Sequence, residues 1–153
     1  MRQGKGTWWL WLAGVGLGVV AIAQGSELPE VIGYVRSVGE PANFTSRGQT
    51  NTARVGQGVL RGALLQTGPG GSLGLVLNDG TRLSLGPRSE LHLDRYRFEP
   101  ARGALAFEAS LSRGSLSLVS GDIARLKPGA VRLHTPQGEM VLAGEAHLLV
   151  RLP

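Results

Sequence analysis

Between residues 73 and 93 the leucines fall at 73, 75 and 77, then at 83 and 85, then at 91 and 93, every one at an odd number. Successive side chains of a strand point to opposite faces, so a period of two places all seven on one buried side. A helix gathers apolar residues every three or four positions and could not use this pattern. The breaks between the three runs are "NDGTR" and "GPRSE", where Asn-Asp-Gly tolerates positive φ and Gly-Pro-Arg-Ser is ordinary turn chemistry. Leu75, Leu83 and Leu91 are eight apart, as are Leu77, Leu85 and Leu93. A constant step of this length predicts short strands of one size, stacked as a meander, a roll or a short solenoid-like coil. The fold class expected is all-β, in a single small domain.

Neighbouring segments read the same way. "VIGYVRSV" is an opening strand, "GALLQTG" a strand that ends at the turn "GPGG", and "GALAFEASLSRGSLSLVSGD" continues the alternation through Leu105, Phe107, Leu116 and Leu118. "AVRLHTPQGEMVLAGEAHLLVRL" supplies two or three closing strands. "NFTSRGQTNTARVGQG" is polar, glycine-rich and aperiodic, the composition of a loop or a weak edge hairpin. The one segment with helical character is "RYRFEPARG", and Pro100 opposes a helix there.

The N-terminus has a different texture. "MRQGKGT" carries Arg2 and Lys5 and no acid, and an apolar run from Trp8 to Ala23 follows, closing on Ala21-Ile22-Ala23. A basic start, a short apolar core and a small-x-small triplet are the parts of a secretory signal peptide. The alternative is a retained membrane anchor, but the run is shorter than the ~20 apolar residues a spanning helix needs, and glycines interrupt it. Residues 1–23 are therefore expected to be a signal peptide, residues 24–29 a linker, and residues 30–152 the domain. The membrane is expected to matter only if that segment stays uncleaved. The whole chain carries a net charge of +5; without Arg2 and Lys5 the rest is +3. Its basic residues are arginines, apart from Lys127, dispersed among acids rather than gathered on one face. Nucleic-acid binders concentrate their cations against phosphates, so no nucleic acid is expected as a partner. There are no cysteines, so apolar packing rather than disulfides must hold an exported domain together.

Chemistry-bearing patterns are sparse. The histidines at 92, 134 and 147 show no metal-ligand spacing, and no metal or other cofactor is expected. His92 and Asp94 share a strand face, as a base and its orienter would, but their even numbers turn them away from the leucines, outward. No Gly-x-Ser-x-Gly elbow, phosphate-cradling Gly-x-x-x-x-Gly-Lys or dinucleotide-binding glycine cluster occurs. No catalytic residue is expected, and the stretch carrying His92 reads as scaffold.

The order of these scaffold segments resembles the FecR domain, a family named after periplasmic iron-citrate sensors. "GALLQTGPGGSLGLVLNDGTRLSLGPRSELHL" is similar to its central motif through Gly62, Thr67, Gly68, Asp79, Gly80, Leu83, Pro87 and Ser89. "SRGSLSL" with Gly114, and "LHTPQGEMVLAG" with Thr135, Pro136 and Gly144, resemble its later strands and turns. The chain departs from the pattern at Ala63, where relatives carry aspartate, and in "GEAHLLV", where Glu145 follows the glycine. The resemblance implies that the matched residues are structural turns. The full sensors place an anti-sigma segment before their membrane helix and a partner-contacting region after the domain. The short stretch before Trp8 and the end at Pro153 suggest a stand-alone module without either. The function expected is an exported, non-catalytic binding module that docks on an envelope protein. The alternatives are a glycan- or cell-wall-binding module and a remnant of a signalling sensor. Glycan binding is disfavoured by aromatic poverty, because Trp8, Trp9 and Trp11 fall in the signal segment. The polar segment "NFTSRGQTNTAR" is the expected recognition loop, since loops on rigid scaffolds carry recognition.

Overall fold

A computed structural model describes residues 30–153. The signal segment expected over residues 1–23 and the linker expected over 24–29 lie outside the described residues. The domain is all-β, in two sheets around one core. The first sheet is built from β1 (Val31–Gly39), β4 (Gly58–Leu60), β6 (Ser72–Leu77), β7 (Arg82–Leu85), β10 (Ser115–Val119) and β13 (His147–Arg151), in the order β13-β10-β7-β6-β1-β4. The second contains β2 (Ala42–Ser46), β3 (Gln49–Thr52), β5 (Leu64–Thr67), β8 (Glu90–Glu99), β9 (Ala104–Arg113), β11 (Val131–Thr135) and β12 (Gly138–Leu142), in the order β12-β11-β9-β8-β5-β2-β3. Every pairing is antiparallel except β9 with β11.

All seven leucines of the ladder are buried. Their eight-residue step has two structural meanings. In the β6–β7 hairpin it sets Leu75 opposite Leu83, while Leu85 faces Leu73, twelve residues away, rather than Leu77. From β7 to β8 the chain crosses to the other sheet, so Leu91 and Leu93 enter the same core from the opposite side. The period breaks in mid-strand. A β-bulge between Leu93 and Arg95 inserts Asp94 as an extra residue, which leaves Asp94 and Arg95 both exposed and turns Tyr96 into the core at 1% exposure. One inserted residue moves every later side chain to the other face. Even-numbered positions therefore point inward after the bulge, and Arg95 and Arg97 flank Tyr96 from the solvent side.

The polar segment from Asn43 forms the β2–β3 hairpin, at one edge of the second sheet. The helix lies elsewhere than the sequence suggests. "RYRFE" is strand, with only a 3-10 turn at Pro100–Arg102, while helix α1 spans Asp122–Leu126. Five residues are too few to display a helical period. What places α1 is tertiary, the burial of Ile123 and Ala124 and a hydrogen bond from the Ile123 amide to a carboxyl on another element.

Candidate functional site

The residues that carry the family resemblance gather into two buried polar clusters, one at each end of the β6–β7 hairpin. At the first end, Asp79 sits in the turn after β6 at 3% exposure. Its Oδ1 accepts from the Tyr96 hydroxyl at 3.0 Å and from the Thr81 amide at 3.2 Å. Its Oδ2 accepts from the Thr81 hydroxyl at 2.7 Å and from the Ile123 amide at 3.2 Å. The Asp79 amide donates to the Tyr96 oxygen at 2.9 Å, and the Asp79 carbonyl accepts from the Asp122 amide at 2.8 Å. One side chain thus ties the β6–β7 turn to β8 of the other sheet and to α1. Burial, reinforced by the Asp79 carboxylate, pushes the Tyr96 phenol far above its ordinary pKa, so it stays a donor. Gly80, beside Asp79, takes φ 87°.

At the other end, Thr67 closes β5. Its hydroxyl donates to the Gly86 carbonyl at 2.6 Å and accepts from the Ser89 amide at 2.9 Å. The fully buried Ser89 hydroxyl donates to the Ser115 carbonyl at 3.1 Å and accepts from the Ser115 amide at 2.9 Å. Gly114 lies against this cluster at φ 85°, and a Cβ there would stand 2.4 Å from the Ser89 Cα. Gly68 donates to the Pro41 carbonyl at 2.9 Å, so close that a Cβ would strike the Pro41 ring. Pro87 lies in the exposed turn between Gly86 and Ser89, and its carbonyl accepts from the Ser89 hydroxyl at 3.3 Å.

The remaining family-type positions stand apart from these clusters. Gly62 is in the turn before β5 and donates to the Leu93 carbonyl. Thr135 and Pro136 form the β11–β12 turn, where the Thr135 hydroxyl donates to the Gly138 carbonyl at 3.0 Å. Gly144 lies in the β12–β13 connection. Sequence reasoning missed Tyr96 and Thr81 as partners of Asp79. The available signal was an aromatic at an even position just past an odd-numbered ladder, which only a bulge could bury.

Surface hydroxyl and imidazole groups form two clusters with a superficial likeness to catalytic machinery. His92 Nδ1 lies 2.5 Å from Asp94 Oδ1, and the Ser110 hydroxyl donates to Asp94 Oδ2 at 2.5 Å. The carboxylate stands in the middle, so the imidazole does not touch the hydroxyl and the order of a nucleophile, its histidine base and an orienting acid is not formed. On the first sheet Ser117 Oγ lies 2.9 Å from His147 Nε2, but among the described residues no carboxylate lies within 4.0 Å of that ring to orient it. Among the described residues no group of three or more His, Asp or Glu is arranged to hold a metal ion. No helix among them is long and apolar enough to cross a membrane.

The profile of the FecR protein family matches residues 63–151, more than half of the chain. The chain belongs to the FecR family. No curated protein and no solved structure matches it. FecR proteins are a non-enzymatic signalling family associated with the cell envelope. The match spans both polar clusters, from Thr67 through Gly114, and continues to β13.

Proposed function

We propose that this FecR-family chain is an exported, non-catalytic binding module that docks on a protein partner in the cell envelope. The observation that carries the reading is where the polar groups are used. The buried hydroxyls and carboxyl are consumed in tying the sheets together, and the exposed histidines lack a nucleophile–base–orienter arrangement. What the fold offers to its surroundings is a rigid scaffold with outward sheet faces and open edges at β3, β4, β12 and β13, the equipment of a docking protein. Export rests on the basic-apolar-small pattern of residues 1–23. Family membership favours a second reading, in which the domain is the sensory remnant of a FecR-type signalling protein. Glycan binding draws less support. Of the five aromatics among the described residues, Phe44, Tyr96 and Phe107 are buried, Phe98 is partly so, and Tyr34 alone is well exposed, leaving few rings for sugars to stack on.

In-cell cross-linking of the tagged full-length chain, followed by mapping of the cross-linked peptides, tests the reading. The expected result is a recurrent envelope protein joined through outward sheet positions. Absence of any recurrent protein, together with co-sedimentation of the chain with peptidoglycan, would sink it in favour of wall binding.

A further inference from the structure

The two sheets differ in charge. The six strands of the first sheet contain no aspartate or glutamate, yet they carry Arg36, Arg82 and Arg151. The strands of the second sheet contain Glu90, Asp94, Glu99, Glu108 and Glu139. There three of the four strand arginines are matched, Arg113 to Glu90 at 3.3 Å, Arg132 to Glu139 at 3.4 Å and Arg97 to Glu99 at 3.9 Å, and the fourth, Arg95, stands between acids on its own strand. Among the described residues, no carboxylate lies within 4.0 Å of the guanidinium of Arg36, Arg82 or Arg151.

Two of these cations are brought to one place by backbone geometry. A β-bulge between Val35 and Ser37 interrupts the β1–β6 register, so Arg36 and Ser37, adjacent in sequence, both stand on the exposed side. Across β6, Gly74 is paired with Ser37 on one side and Ser84 on the other, and Val76 with Arg82. The result is a shallow groove of about 220 Å³ across β1, β6 and β7, bordered by Arg36 and Arg82, with Ser37, Ser84 and Val76 among its lining residues. At its floor Gly74 leaves no bulk, since a Cβ there would strike the Ser37 hydroxyl.

We propose that this groove binds an acidic polypeptide segment of the docking partner, with Asp or Glu carboxylates seated on Arg36 and Arg82. The inference rests on the docking reading above and adds the site and the chemistry of what it takes. Guanidinium groups hold carboxylates through paired, charge-assisted hydrogen bonds. An acid-free face keeps both arginines available and sets a potential that attracts an acidic surface and repels a basic one. The serine hydroxyls can bond a peptide backbone, and Val76 offers a small apolar contact. No aromatic ring lines the groove itself, and Tyr34, exposed opposite Val76 on β1, is a lone ring beside it, a narrow platform for stacking a uronate chain.

The test uses the full-length chain, a fluorescent octaglutamate peptide and an oligogalacturonate of equal charge. Octaglutamate should bind the wild type at about 0.1 M salt and weaken sharply at about 1 M, where the screening length shrinks to about 3 Å. Arg36→Ala with Arg82→Ala should weaken it about tenfold or more, the loss expected for two charge-assisted contacts. Arg36→Lys with Arg82→Lys should restore part of it, because charge returns without the fork. Arg97→Ala with Arg113→Ala, on the other sheet, should bind as the wild type does. Equal binding by the Arg36→Ala, Arg82→Ala variant, equal loss on the second sheet, or tighter binding of oligogalacturonate would each overturn the assignment. Envelope cross-linking separates the two levels. A partner joined equally well by wild type and by Arg36→Ala, Arg82→Ala refutes the groove while docking stands, whereas no partner for the wild type refutes docking itself.

Discussion

Asp79 is a short side chain in a turn, yet it accepts four hydrogen bonds from three residues. Replacing it with asparagine keeps the shape but turns donors toward donors, leaving buried hydroxyl and amide groups unsatisfied. A loss of about 2 to 4 kcal/mol is expected in urea unfolding. Tyr96→Phe should cost about 1 to 3 kcal/mol, and the double variant less than the sum, because both changes break the same bonds. Gly114→Ala combines a left-handed backbone with a Cβ driven against Ser89 and should cost about 1 to 3 kcal/mol by the same measurement. Glu90 supplies a pH signature. A hydrogen bond from Gln66, with further help from Ser112 and Arg113, holds its carboxyl below the usual 4.5 despite partial burial. A depressed folded-state pKa stabilises above the unfolded value and is lost as pH falls through the folded one. Wild type should therefore exceed Glu90→Gln in stability above pH about 4.5, and the gap should close on further acidification, as read by denaturant midpoints at several pH values.

At the scale of elements, the β6–β7 hairpin separates burial from exposure one residue at a time. Leu83 is 1% exposed, while its neighbours Arg82 and Ser84 face solvent. Leu83→Ala should cost about 2 to 5 kcal/mol through lost contacts and the cavity left behind. Ser84→Ala should stay within about 0.5 kcal/mol. Chemical denaturation of both variants checks the facing, which is inverted if the serine change is the damaging one. Two of the bulges act at this scale too. One in β8 turns Tyr96 inward to Asp79, and one in β1 turns Arg36 and Ser37 outward together. In each case a single unpaired residue decides which face a strand's chemistry occupies. The hairpin β2–β3 shows the opposite behaviour. Its β3 residues are all exposed, so no apolar period marks it, and only its pairing with β5 through β2 draws it into a sheet.

Across the whole molecule, both sheets feed one continuous core, and two buried polar clusters close its ends. Such a body should unfold as a unit. Far-ultraviolet and tyrosine-region dichroism are expected to trace one coincident urea transition, and separated transitions would mean that the sheets come apart independently. The strict leucine period determined strand character, core membership and turn positions without help from the fold, because side-chain alternation is a local consequence of extended backbone. The FecR resemblance was legible too, since it rests on turn residues in a fixed order. Which sheet each strand joins, how Asp79 finds Tyr96, where α1 forms and which arginines remain unmatched were decided only in three dimensions. Each depends on residues distant in sequence. Tyr96 is 17 residues from Asp79 and Ile123 is 44, and a one-residue bulge, marked in the sequence only by an aromatic out of step with the ladder, reverses every side chain beyond it.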